Sequence, residues 1–315
     1  MEEEDNSYSD FLSSISYEFT LIISIIWTII GFTGNSIVVV VLIKPKFRNL
    51  PIYRYLIVAN ITDIAVLATM WPYTLPSSMN DDRIKCKLSN YFGNLLYDFS
   101  SWINVTILLD RLLSVKFSTR FKFRSQLKYQ MLALLFFFVF LVFFNIPTLL
   151  LYDLNSDSNT TTICSTSNPY DQFLVDFSTF AISLIVPIII MTSCTFSIGR
   201  HLIQNKMRLS NNRIGFRKEI HLIKVMTAMN GFFLICNSPF FIQLTVFDLF
   251  NYNGETFYYQ NIVYNTTNML AYFQNTSGFL LCFAFNKVFR EYFSSLIRHK
   301  KNKVTPLRQI KVHPS

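Results

Sequence analysis

Charge is scarce in this chain: Asp, Glu, Lys and Arg make up only 15% of 315 residues, against 51% hydrophobic and 17% aromatic types. That balance leaves more apolar surface than one aqueous core usually hides, which points away from a water-soluble domain. Histidine is scarce too. His201, His221, His299 and His313 stand apart from one another, and no Cys-x-x-Cys pair accompanies them, so the sequence offers no metal-ligand set. It also offers no nucleophile beside a base and no glycine-rich phosphate loop, which excludes the enzyme classes built on those motifs. Internal repeats and a charged relay through several apolar segments are missing as well. Asp63 and Asp98 are the only acids in the middle of such segments, so a transporter or channel is disfavoured. No basic stretch precedes the first apolar run, which is therefore expected to serve as its own insertion signal.

What the chain has is a series of apolar runs. The clearest cover 16–43, 131–151 and 173–198, and weaker ones interrupted by Asn, Asp, Ser and Thr cover 55–73, 88–114, 220–250 and 258–285. Crossing a hydrocarbon core about 30 Å thick takes roughly 20 helical residues, so each run is long enough to span. The stretch 136–144 holds six phenylalanines among nine residues without a charge, and lipid is the simplest solvent for it. The expected architecture is an all-α membrane protein of seven helices over 16–285. An acidic segment, 1–15, precedes it, and an amphipathic helix with a basic tail, 286–315, follows.

Basic residues set the orientation, because cytoplasmic loops collect Lys and Arg. With seven spans and the N-terminus outside, only Arg83, Lys85 and Lys87 of the 28 fall on the outer side. The rest cluster at 44–54, 111–128, 200–224 and 287–311. The net charge of +9 is thus a property of the inner face and carries no sign of nucleic-acid binding. Acids show the opposite bias, from Glu2, Glu3, Glu4 and Asp5 to Asp153, Asp171, Asp176 and Glu255, which makes the outer mouth electronegative. Of the five cysteines only Cys86 and Cys164 lie near that oxidising side, and they are expected to pair.

Cys86 opens the third span and Asp110-Arg111-Leu112 closes it, with 25 residues between Cys86 and Arg111. In these residues and this spacing the chain resembles the class A, rhodopsin-like G-protein-coupled receptors. The resemblance implies a multi-pass plasma-membrane receptor, not an enzyme, that binds an extracellular ligand, activates a heterotrimeric G protein and engages arrestin. It makes Asp110 and Arg111 the inner switch, with Glu219 as partner, 20 residues before Pro239. Gly34-Asn35 and the 60–63 segment Asn-Ile-Thr-Asp match the family's internal polar residues, which implies a central site of Asn35, Asp63, Ser100 and Asn275 able to hold sodium. Pro72, Pro147, Pro187 and Pro239 fall where the family bends its helices, and Phe233, Asn237 and Pro239 take the places of its helix-six hinge. The 286–290 segment resembles the family's entry into an eighth helix, with Phe289, Phe293, Leu296 and Ile297 at helical spacing.

Departures from the pattern are specific. Asn237 stands where the family has a tryptophan toggle, Thr195 where an activation tyrosine is usual, and the 278–282 segment Gly-Phe-Leu-Leu-Cys replaces Asn-Pro-x-x-Tyr. Helix four has no tryptophan at its midpoint, and Leu112 replaces an aromatic residue. Gly93 occupies the place of the aspartate in biogenic-amine receptors, which disfavours a monoamine, and Tyr272 occupies the place of the retinal lysine, which excludes a photoreceptor. The ligand pocket is expected around Gly93, Asn94, Tyr97, Phe241 and Tyr272. The outer acids favour a cationic ligand, for which a basic neuropeptide fits best. The 275–279 segment is loosely similar to invertebrate FMRFamide-type peptide receptors. A chemosensory receptor for a small lipophilic molecule is the alternative. Asn159 and Asn265 are glycosylation candidates, while Asn60, Asn104 and Asn275 match the sequon inside spans.

Overall fold

The structure, a computed structural model, describes residues 2–48, 51–70, 82–116, 127–156, 162–204, 227–243 and 257–297. Glu219, Asn159 and Pro72 lie outside them. The first helix, Glu2–Leu42, passes residue 15 without a break, and a short turn at Pro45–Arg48 leads to the second, Pro51–Thr69. The third is Arg83–Lys116. The fourth runs Leu127–Phe144 and resumes as Ile146–Leu151, and the fifth runs from Pro169 to Gln204 through a π-helical turn at Ala181–Ile185. A helix over 227–243 is the sixth, and Phe257–Thr276 with Gly278–Phe285 forms the seventh. A last helix, Lys287–Ile297, follows. Among the described residues four segments are long and apolar enough to cross a membrane: Tyr17–Leu42, Pro51–Thr69, Leu127–Leu151 and Tyr170–His201.

The bundle is sorted by which side chains face a neighbour. On the fourth helix Phe136 and Phe143 are 66% and 65% exposed, and only Gln130, Leu134 and Leu141 are buried. The third helix is the reverse: Asn90, Asp98, Ser100, Ser101, Thr106 and Asp110 are all buried beside Leu95, Trp102, Ile103 and Leu108. Lipid offers no hydrogen bonds, so polar groups turn inward and the apolar ones stay outside. The third helix packs against the second, fourth and fifth, and its core includes Phe233 and Phe241 of the sixth.

Prolines explain two irregularities. Pro187 cannot donate an N–H to the helix, and just before it the backbone widens, with Val186 N–H reaching the Ala181 carbonyl. The widened turn leaves the Ile182 carbonyl to accept the Trp102 indole N–H at 3.1 Å. Pro147, in the first turn of the resumed fourth helix, sits just past the break at Asn145, whose φ of −84° and ψ of 0° end the preceding helix. At the other end of the bundle Asn286 Oδ1 accepts the Phe289 N–H at 3.0 Å, which caps the last helix, and Phe289 is fully buried among Phe47, Phe279 and Phe293.

Between the fourth and fifth helices a hairpin, Tyr152–Ser156 with Thr162–Thr166, pairs antiparallel with Leu154 opposite Cys164. Cys164 is bonded to Cys86, with 5.7 Å between their Cα atoms, and this ties the hairpin over the start of the third helix.

Candidate functional site

Beneath the hairpin lies a cavity of about 180 Å³. Gly93, Asn94 and Tyr97 on the third helix, Phe241 on the sixth and Tyr272 on the seventh all line it, so the five residues singled out in the sequence meet in one place. Tyr152 of the hairpin, Gln172 and Asp176 of the fifth helix, and Tyr264 and Asn268 of the seventh are also in its wall, with Asn90, Thr179 and Phe240. Sequence spacing to Cys86, Arg111 and the helix prolines finds only the first group. The second depends on how the hairpin folds back.

The cavity floor is a hydrogen-bonded chain across three helices. Tyr97 Oη donates to Asn237 Oδ1, and Asn237 Nδ2 donates to Gln274 Oε1 and to the Phe233 carbonyl, the latter at 2.7 Å. Asn237 is fully buried. The residue in the tryptophan's place thus links helices three, six and seven, whereas an indole, a donor only, has no acceptor to offer the Tyr97 hydroxyl.

Below this chain a second cavity, about 360 Å³, extends from Asp63, Ser100 and Gln274 past Phe233 and Asn230 to Asn286 and Lys287. Gln274 lines it, while Tyr97 lines the upper cavity, so the Tyr97–Asn237–Gln274 chain separates the two. Ser100 Oγ lies 2.8 Å from Asp63 Oδ1 and 3.2 Å from Asn275 Oδ1. One hydroxyl carries one proton and cannot serve both acceptors. Turning the Asn275 amide brings its Nδ2, which lacks a partner, onto Ser100, and the order Asn275 to Ser100 to Asp63 is then satisfied. Asn35 donates Nδ2 to the Asn275 carbonyl at 2.8 Å. Hard cations take oxygen ligands, and the Asp63 carboxylate with the Ser100 hydroxyl suits sodium.

Gly278 makes this centre compact. A Cβ there would stand 2.4 Å from Asn35 Oδ1 and 2.7 Å from Asn60 Oδ1, two buried oxygens without partners among the described residues. The Asn-Pro-x-x-Tyr position therefore holds the one residue type that lets the seventh helix close on both asparagines. Just before it the helix breaks at Ser277, whose hydroxyl returns to the Gln274 carbonyl at 2.7 Å.

At the far end of the third helix Asp110 is nearly buried, and Arg111, half-buried, forms no ion pair among the described residues. Thr195 of the fifth helix accepts from Asn230 Nδ2 of the sixth at 3.0 Å. Asn265 is half-buried within the seventh helix.

A second acid, Asp98, is fully buried on the opposite face of the third helix. Asn145 Nδ2 donates to its Oδ2 at 2.8 Å and Ser183 Oγ donates to its Oδ1, so it joins the third helix to the break in the fourth and the wide turn in the fifth. Spacing alone gave no partner for it.

No curated protein matches this chain. Residues 34–277 match the family described as 7 transmembrane receptor (rhodopsin family), a stretch that contains the disulfide, the whole upper cavity and Arg111. With that match over most of its length, the chain belongs to the rhodopsin family of seven-transmembrane receptors, multi-pass proteins of the plasma membrane that answer an extracellular ligand through a G protein.

Proposed function

We propose that the chain binds a basic peptide at the mouth of the cavity beneath the hairpin and activates a heterotrimeric G protein at the Arg111 end. The observation that carries this reading is the hydrogen-bonded floor between the two cavities. A ligand that displaces Tyr97 or Tyr272 disturbs Asn237, which sits two residues from Pro239 on the helix whose outward swing opens the inner end. Asn237 thus stands in for the family's aromatic toggle, and Phe233 packs one turn below it. The N-terminus faces outward and residues 1–15 are extracellular, a topology supported by the bias of Lys and Arg toward the opposite side. Asp63 and Ser100 would hold a sodium ion, whose charge would neutralise the buried carboxylate and favour the closed state. Arg111 exchanges Glu219 and Asp110 for the G protein, and arrestin uses the same opening. The last helix lies on the inner leaflet with Arg290, which donates to the Phe283 and Ala284 carbonyls at the end of the seventh helix. Asn159 is the glycosylation site this topology favours, ahead of Asn265. The 275–279 segment supports a peptide receptor of the FMRFamide type over a chemosensory one.

Expression in cells with a G-protein activation readout, screened against basic peptides and small lipophilic compounds, tests the reading. Arg111→Ala is expected to abolish agonist-driven activation while surface expression persists. Signalling that survives this substitution overturns the assignment of the inner switch.

A further inference from the structure

The upper cavity has one charged wall. Among its lining residues only Asp176 carries a formal charge, and the remainder are Asn, Gln, Thr, Gly and six aromatics. Its carboxylate is held in place from the hairpin. Gln172, one turn earlier on the fifth helix, donates Nε2 to Asp176 Oδ2 at 2.8 Å, and its Nε2 also lies 3.2 Å from Tyr152 Oη. The Thr166 hydroxyl in turn lies 3.2 Å from Gln172 Oε1 and 3.1 Å from the Asn168 carbonyl, between which it shares its proton. Of the other acids described at this end, Asp153 pairs with Arg83 and Asp82 accepts the Ile84 N–H at 2.8 Å, and neither these two nor Asp171 lines the cavity.

Aromatic rings, packed edge to face or tilted against one another, line the same cavity as Asp176. Tyr97 meets Tyr272 with centroids 6.3 Å apart and Phe241 at 6.0 Å, and Phe240 meets Tyr264 at 5.7 Å. Such ring faces attract a cation and gain nothing from an anion, which the carboxylate would also repel. The volume of about 180 Å³ falls short of the roughly 300 Å³ at which pockets begin to enclose a drug-sized molecule, so it admits a head group and not a peptide chain.

We propose that Asp176 is the counter-ion of the ligand, and that the cavity takes a single ammonium or guanidinium head group seated between that carboxylate and the tyrosine rings. The head group belongs either to the end of a peptide whose remainder lies over the hairpin or to a small aromatic amine. This rests on the receptor reading above, and it moves the charge recognition to the fifth helix, opposite Gly93.

Thermal unfolding of the purified full-length receptor tests it without a G protein. The probes are phenylalanyl-arginine amide, its neutral citrulline counterpart, phenethylamine, and phenylacetate. The arginine dipeptide or phenethylamine is expected to raise the unfolding midpoint with concentration, and whichever does so identifies the source of the head group. Asp176→Asn should weaken that binding about tenfold or more, as loss of a hydrogen bond to a charged group does, and Asp176→Glu should retain it. The proposal is overturned if neither cation binds, if Asp176→Asn binds as tightly as the parent, or if citrulline or phenylacetate matches the cations. Should Asp176→Asn fail to fold, the arginine and citrulline comparison with Asp176→Glu decides. A neutral agonist that activates the G protein equally in parent and Asp176→Asn sinks the counter-ion and leaves the receptor reading intact. Loss of the Arg111 dependence does the converse.

Discussion

Asp63 and Asp98 are two carboxylates at mid-bundle, both bonded to a serine hydroxyl, and their surroundings could hardly differ more. Asp63 borders the 360 Å³ cavity and is half-buried because of it. Asp98 has no exposed surface, lines neither of the two cavities, and has each oxygen matched to a donor, one from the fourth helix and one from the fifth. An acid with room beside it can exchange partners, whereas one sealed among fixed donors holds helices in register. The same residue type therefore meets open space beside one face of the third helix, as Asp63 of the second helix does, and fastens helices together on the other face, as Asp98 does.

The largest effect should come from breaking the fastener. Asp98→Ala leaves Ser183 buried without its acceptor and removes one of two acceptors of Asn145, which also reaches the Leu141 carbonyl at 3.1 Å. A cost of about 2 to 3 kcal/mol in stability is expected, read as a lowered unfolding midpoint of the purified receptor. Asp98→Asn should cost less, because an amide oxygen still accepts from Ser183, although its NH₂ then faces that of Asn145. Equal midpoints for Asp98→Ala and the parent would remove the distinction between the two acids.

Asp63 should fail differently. Water in the adjoining cavity can take over its hydrogen bonds, so Asp63→Asn is expected to change stability by no more than about 1 kcal/mol in sodium-free buffer. Its mark is on ion response. Sodium at about ten times its dissociation constant adds about 1.4 kcal/mol to a chain that binds it folded. The parent's midpoint should rise when sodium chloride replaces N-methylglucamine chloride at equal ionic strength, and that of Asp63→Asn should not. A rise of the same size in both would assign the effect to salt and not to a site.

What the sequence made legible followed from local rules. Apolar windows locate the first, second, fourth and fifth spans because lipid exposure leaves a long run. The distance from Cys86 to Arg111 brings Gly93, Asn94 and Tyr97 to one end of a single helix. Long-range partners were legible where a familiar spacing linked two helices, as for Asp63, Ser100 and Asn275. Asp98 escaped that logic because the turn at Ala181–Ile185 and the break at Asn145 both shift which residues face inward, and neither shift can be counted along the chain. Asn237 read as the loss of a tryptophan. Its gain, two partners on different helices, required Tyr97 and Gln274 to be brought beside it. Asp176 counted only as one more acid at the mouth until the hairpin placed Tyr152 and Thr166 around Gln172.

A third carboxylate, Asp153 of the hairpin, sharpens the contrast from the solvent side. Arg83 is its ion-pair partner, with Lys87 at 3.9 Å and the Leu154 N–H on the other oxygen at 2.8 Å. The hydrogen bond from Arg83 first, then the Leu154 amide, hold its pKa below the usual carboxylate value of 3.8. A depressed pKa means that folding favours the ionised form, so the contribution is complete above the unfolded value and disappears as pH falls through the lower, folded one. Asp153→Asn should therefore show a constant and small deficit in unfolding midpoint from pH 8 down to pH 5, narrowing only below about pH 4. Because Arg83 is largely exposed, raising salt should shrink the deficit, whereas the deficit of Asp98→Ala, sealed from ions, should stay as it is. A salt-insensitive deficit for Asp153→Asn would mean that the hairpin carboxylate is fastened like Asp98, and the division between sealed and solvent-facing acids would have to be redrawn.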